Sequence, residues 1–371
     1  MHIRKHARRA APVAAVFAAA AIALAGFALG AFAARPPDFC SKHPSHPSCP
    51  STSTTTTTAP AVEPGPDCTR VYTQGTLSDF VATLAPGDTG CAFGTFNEGV
   101  KVTNGGFTLR GPRLYGYLWL TSSANSITLE DVYLDNRYVS TAWALLVQGD
   151  GVTLRRAEVT NGDKAGSQTD GICVLAGFGF EDDPANTAVG FTVENSRIHD
   201  CGDDDHEHSI YLESTRNAVV RDNYLYGSGG YGVHMYPDAQ GSLIEHNLIS
   251  DNSRACKANL TFSGESAHPE YKRPHGSSNN KVFWNLITFP ACDYNVESWY
   301  PRGSLDPVGN EVAFNCVYGA PRANFGELTT ASGVPAYVEH DNLIVDPLYV
   351  DRAARNYQLL LASPCLGLGP R

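Results

Sequence analysis

Residues 217–249 read NAVVRDNYLYGSGGYGVHMYPDAQGSLIEHNLI, and the stretch repeats within itself: NAVVRDNYL (217–225) aligns with GSLIEHNLI (241–249). The alignment extends in both directions. Its other members begin at Gly106 (GFTLRGPRL), Ser126 (SITLEDVYL), Gly151 (GVTLRRAEV), Gly190 (GFTVENSRI), Asn279 (NNKVFWNLI), Gly309 (GNEVAFNCV) and Ala336 (AYVEHDNLI). The ninth position is aliphatic throughout, as Leu114, Leu134, Val159, Ile198, Leu225, Ile249, Ile287, Val317 and Ile344. The fourth is aliphatic in every segment but the last, where Glu339 stands. Asn fills the seventh in five successive segments, at Asn223, Asn247, Asn285, Asn315 and Asn342.

The segments start 20 to 39 residues apart, a spacing at which each unit buries its apolar face only by stacking on its neighbours. Apolar residues alternate at period two around β-branched ones, which excludes helical repeats. A column of one polar residue type fits turns stacked about 4.8 Å apart, where side-chain amides bond along the stack. The asparagines are therefore structural. The fold class is all-β, a parallel β-helix of about nine coils.

A second column follows in each coil: Gly171-Ile172-Cys173-Val174, Ser209-Ile210-Tyr211-Leu212, Gly232-Val233-His234-Met235, Asn259-Leu260-Thr261-Phe262 and Asn295-Val296-Glu297-Ser298. Its expected inward members are Ile172, Ile210, Val233, Leu260 and Val296. Cys173, Tyr211, His234, Thr261 and Glu297 then point outward, and two residues on so do Leu175, Glu213, Tyr236, Ser263 and Trp299.

Upstream, Leu77, Phe80, Val81 and Leu84 have helical spacing and Pro86-Gly87 stops the run, so a short helix is expected to cap the stack. The segment TLSDFVATLAPGDTG (76–90), followed by Gly94-Thr95-Phe96 and GGFTLRG (105–111), resembles the entrance of pectin-lyase-like, right-handed parallel β-helix proteins. DDDHEHSIYLE (203–213) and YGVHMYPDAQGSLIEHNLISDN (231–252) are similar to the β-helix repeat proteins of secreting bacteria. Asn356-Tyr357-Gln358-Leu359 and Ser363-Pro364-Cys365 resemble that family's C-terminal end. The resemblance covers residues 68–371. It implies a right-handed helix but no single activity, because lyases, hydrolases, epimerases and non-catalytic binders share the scaffold.

Residues 1–34 carry the marks of a signal peptide: Arg4, Lys5, Arg8 and Arg9, an Ala-rich apolar run, and the small-x-small site Ala31-Phe32-Ala33. The expectation is secretion, with an uncleaved membrane anchor as the alternative. Removing the segment takes away those four cations and no acid, shifting the net charge from −11 to −15. So acidic a chain is not expected to bind nucleic acid. Residues 35–67 form a linker whose core, STSTTTTTAPAVEPGP (51–66), cannot fold. The β-helix domain occupies 68–371 and is expected to be a monomer.

Ten cysteines in an exported chain imply disulfides. Cys40 and Cys49 bracket a short loop, and Cys68 and Cys91 flank the capping helix. Cys256 and Cys292 each lie four residues before an inward residue on adjacent coils. Cys316 with Cys365 is a further pairing, and Cys173 and Cys201 are either paired or free.

Ionisable and aromatic side chains concentrate on the middle coils. A lyase acting on a uronic-acid glycan needs a base, an acid and a cation to neutralise the sugar carboxylate. His234 or Tyr211 is the candidate base, Tyr236 the acid, and Lys272 or Arg273 the neutraliser. Glu213, His206, His208, Asp238, Glu297 and Trp299 are candidate substrate-binding residues. Trp299, Tyr300, Tyr294, Tyr211 and Tyr236 are expected along one flank, where they can stack on sugar rings. No cofactor is expected, although Asp203, Asp205 and Glu207 offer oxygens to calcium. A glycoside hydrolase needs two carboxylates roughly 5–9.5 Å apart, which Glu213 offers only with Asp238 or Glu207. A non-catalytic carbohydrate-binding surface protein is the third reading.

Overall fold

The structure is a computed structural model, and it describes residues 67–139, 141–162, 171–178 and 183–371. The signal segment, nearly all of the linker and the Cys40–Cys49 pair lie outside the described residues.

The repeat closes into a parallel β-helix with two long sheets. The seven repeat segments between the first and the last each supply two short strands to the first sheet, such as Val219–Arg221 and Tyr224–Tyr226, and these pair in register with Leu243–Glu245 and Leu248–Ser250 of the next coil. The second column builds the other sheet, a run of nine parallel strands from Gly99–Val102 to Ala323–Phe325. The aliphatic columns lie inside. All eight aliphatic residues of the fourth position and the first eight of the ninth are buried, and all of these but Val317 form one continuous core with the second sheet's inward residues. The exception is Ile344, 52 % exposed on the last coil, where no further turn covers it.

Between the two strands of a segment the chain turns through one residue of positive φ. Asp131, Arg156, Asn195, Asp222, His246, Trp284, Phe314 and Asp341 all have φ between 48° and 59°, a region that side-chain-bearing residues seldom adopt. The asparagine that follows holds the bend from the fourth coil of this column onward. Asn223 Nδ2 donates to Asn247 Oδ1 at 3.0 Å, and the chain of amides continues through Asn285 and Asn315 to Asn342. Each side-chain oxygen also accepts the backbone N–H of the preceding asparagine. A second ladder, Asn252–Asn259–Asn295–Asn324, runs at another corner.

On the outer face of the first sheet one register row reads Arg110, Glu130, Arg155, Glu194, Arg221, Glu245. Opposite charges thus face each other at every step, a favourable cross-strand arrangement.

The helix α1 (Leu77–Ala82) starts where Thr76 accepts the N–H of Asp79 and Glu98 accepts those of Leu77 and Ser78. It buries Leu77 and Val81 in the core of the first coils. Among the described residues four disulfides are present: Cys68–Cys91, Cys173–Cys201, Cys256–Cys292 and Cys316–Cys365. Among the described residues no cysteine is free, and no helix is long and apolar enough to cross a membrane.

The expected register of one coil is corrected. Val174, not Ile172, pairs with Ile210, and Leu175 pairs with Tyr211. Cys173 turns into the core, where it bonds Cys201, while Ile172 joins Leu146 and Leu175 in a separate apolar cluster outside the core.

Candidate functional site

Three consecutive strands of the second sheet carry the site: Ile210–Arg216, Val233–Gln240 and Leu260–Glu265. Their register sets Tyr211 beside His234 and His234 beside Thr261. The Tyr211 and His234 rings stack at 4.8 Å, and Tyr236, two residues along, lies 5.3 Å from His234. Because these rings face one another, they offer mainly their polar edges outward. Trp299, 49 % exposed and 6.1 Å from Tyr236, is the ring with an open face.

Each phenol but one is anchored. Tyr236 donates to Glu265 Oε2 at 2.6 Å, Tyr271 to Glu213 Oε1 at 3.1 Å, and Tyr231 to Glu297 Oε1 at 2.7 Å. Burial, reinforced by these carboxylates, holds Tyr236 and Tyr271 far above the ordinary phenol range. Burial likewise raises Tyr211, with the charge of Glu213 adding to it. Tyr211 Oη makes no hydrogen bond among the described residues. His234 Nδ1 lies 3.0 Å from Nε2 of His208, whose own Nδ1 accepts the backbone N–H of Tyr231 at 3.1 Å. Burial pushes both imidazoles well below their usual value.

The other candidates spread around this centre. His208 is 2 % exposed and lies behind His234, so it reaches a bound glycan only through that ring. Glu213 faces the same side as Tyr211 and Tyr236, beside the bulge that the register shift between Leu212 and Ser214 marks, and it is buried because Tyr271 covers it. Lys272 and Arg273 are exposed and directly follow Tyr271, whose ring is 6.2 Å from that of Tyr236. Asp238 binds Arg216 at 2.7 Å and Gln240 at 2.9 Å. Tyr294 and Tyr300 are buried, unlike the flank position expected of them, and Tyr300 donates to the carbonyl of Ser277.

The acidic turn sits at one side. Asp205 lies 2.6 Å from His206 Nδ1 and 3.2 Å from Lys257 Nζ. Burial opposes its ionisation, but Asp204, His206 and Lys257 together bring it down to about 2. Asp204, Asp205 and His206 bring one donor atom each within 4.8 Å of one another. Glu207 is fully buried, and its Oε2 accepts the N–H of Asp203 and of Asp204.

Sequence reasoning missed Tyr231, Tyr271 and Glu265. Glu265 had a signal, since the outward alternation Thr261, Ser263 reaches it in one more step. Tyr271 lies in a loop outside any column.

Residues 116–262 match the family described as right handed beta helix region. The chain carries a right-handed parallel β-helix. No curated protein matches it. Among solved structures, this β-helix is similar to a mannuronan C-5 epimerase A-module from Azotobacter vinelandii, at 16 % identity and TM-score 0.38, covering 74 % of this chain and 87 % of that one. An alginate lyase from a Paenibacillus species aligns at 15 % identity and TM-score 0.41, covering 70 % and 98 %. A pectin methylesterase in complex with a hexasaccharide aligns at 11 % and 0.34, covering 81 % and 97 %.

Proposed function

We propose that this is a secreted enzyme acting on a polysaccharide, a lyase that cleaves a uronic-acid-containing glycan at the Tyr211–His234–Tyr236 row. The observation that supports the reading best is a pair of groups in that row with no hydrogen-bond partner among the described residues, Tyr211 Oη and His234 Nε2. The exposed cations Lys272 and Arg273, next in sequence to Tyr271, offset the sugar carboxylate.

In this reaction Tyr211, as phenolate, takes the proton α to the carboxylate. The electron pair forms the C4–C5 double bond and expels the glycosidic oxygen, which recovers the proton from the re-formed Tyr211 hydroxyl. Tyr236 directs its own proton at Glu265 and lines the site. His234 Nε2 donates to the charge that develops on the carboxylate.

The test is incubation of the purified protein with uronate polymers while ultraviolet absorbance of the unsaturated product is followed. Growth of that signal, and its loss in Tyr211→Phe, is expected. New reducing ends without absorbance would replace the lyase with a hydrolase, a reading favoured by the Glu213 and Glu265 carboxylates flanking Tyr236 and Tyr271. Binding without either signal would leave a carbohydrate-binding protein.

A further inference from the structure

We propose that His208 is a positioning residue that locks His234 into one tautomer and so makes it a hydrogen-bond donor, never a base, toward the glycan. The inference rests on the functional reading above only for the identity of the ligand.

The argument begins at a backbone group that cannot change its role. The N–H of Tyr231 donates to His208 Nδ1 at 3.1 Å, so that nitrogen must present a lone pair. A neutral imidazole with a bare Nδ1 carries its proton on Nε2. That Nε2 lies 3.0 Å from His234 Nδ1, which must therefore accept, and the proton of His234 is left on Nε2. The direction of the whole chain is set at its buried end.

The arrangement has little freedom. Tyr231 is held at its far end by Glu297, 2.7 Å from its hydroxyl. Gly230 is required beside it, since a Cβ there would come within 2.6 Å of His208 Nδ1. His208 packs edge-on against both Tyr211 and His234, with ring centroids 5.3 and 4.5 Å away. Turning the His208 ring over would abandon the Tyr231 N–H in a buried place.

Two consequences follow for the chemistry. Protonating His234 at Nδ1 would set two N–H groups against each other, so the ring stays neutral. Its Nε2 has no lone pair with which to take a proton. A ligand facing His234 must therefore bring an acceptor oxygen, as a carboxylate or a ring oxygen does, and a sugar hydroxyl binds there only through its oxygen.

Selective ¹⁵N labelling of histidine in the full protein, read by long-range nitrogen–proton correlation, tests this without any glycan. His234 is expected to show a protonated Nε2 and a bare Nδ1, and His208 the same. A protonated Nδ1 on His234 would overturn the inference. In His208→Gln the amide oxygen accepts from Tyr231 and the amide nitrogen donates to His234, so the tautomer is kept and kcat/KM on a uronate polymer falls less than about fivefold. In His208→Phe the lock is lost and kcat/KM falls at least tenfold. Equal losses in Gln and Phe variants, with the His234 tautomer unchanged in both, would also overturn it. If Phe does not fold, the wild-type and Gln spectra still decide. If the tautomer is as stated and no glycan is bound or cleaved, the functional reading fails and the positioning role stands.

Discussion

Glu213 and Tyr271 are 58 residues apart in sequence and 3.1 Å apart in space, a bond that fastens the loop after Leu260–Glu265 onto the strand Ile210–Arg216. Tyr271→Phe removes one hydrogen bond from a buried carboxylate, at a cost of about 1–3 kcal/mol. Chemical denaturation should show that loss, and glycan affinity should fall severalfold because Lys272 and Arg273 are then less well placed. Unchanged affinity would detach the loop from the site.

The phenol of Tyr211 is protonated at neutral pH because burial raises it. If its phenolate is the base, kcat rises as pH rises and has no plateau below about pH 10, the ordinary phenol value. A bell centred near pH 6–7 would point to a different base.

The asparagine ladder makes a mutational prediction with a sign and a size. Asn285 Oδ1 accepts both the backbone N–H and the side-chain amide of Asn247. Asn285→Leu leaves that buried backbone N–H without an acceptor, while the Asn247 amide keeps the carbonyls of Val220 and Glu245, and should cost about 1–3 kcal/mol in urea unfolding. A loss under about 0.5 kcal/mol would mean that the ladder is decorative.

Asp238 gives a pH dependence of stability. Burial raises its pKa, but His275, Arg216 and Gln240 outweigh it and bring the folded value down to about 2. A depressed folded pKa stabilises above the unfolded value near 4 and loses that contribution as pH falls toward 2. Stability should therefore decline between about pH 4 and 2, and Asp238→Asn should flatten part of that decline. A mutant curve parallel to wild type would remove Asp238 from the acid response.

Most of the fold was legible because stacking repeats one environment at every coil, so Leu109 to Val312 and Asn223 to Asn342 form columns on paper as they do in space. The same logic set Tyr211 beside His234. It failed at Cys173, where a Gly-Ile-Cys-Val string imitates the Gly-Val-His-Met pattern while the disulfide to Cys201 turns the thiol inward. It also failed where turns carry the chemistry. Nothing periodic announces that Tyr231 supplies a backbone N–H, that Tyr271 folds back over Glu213, or that Glu207 caps its own turn from within.

The row Arg110, Glu130, Arg155, Glu194, Arg221, Glu245 has parity. Deleting one of the four inner coils of this row would seat two like charges on neighbouring strands, whereas deleting two adjacent ones keeps the alternation. Over this half of the solenoid the chain lengthens or shortens at least penalty by pairs of turns, and a single-turn change calls for a compensating charge reversal.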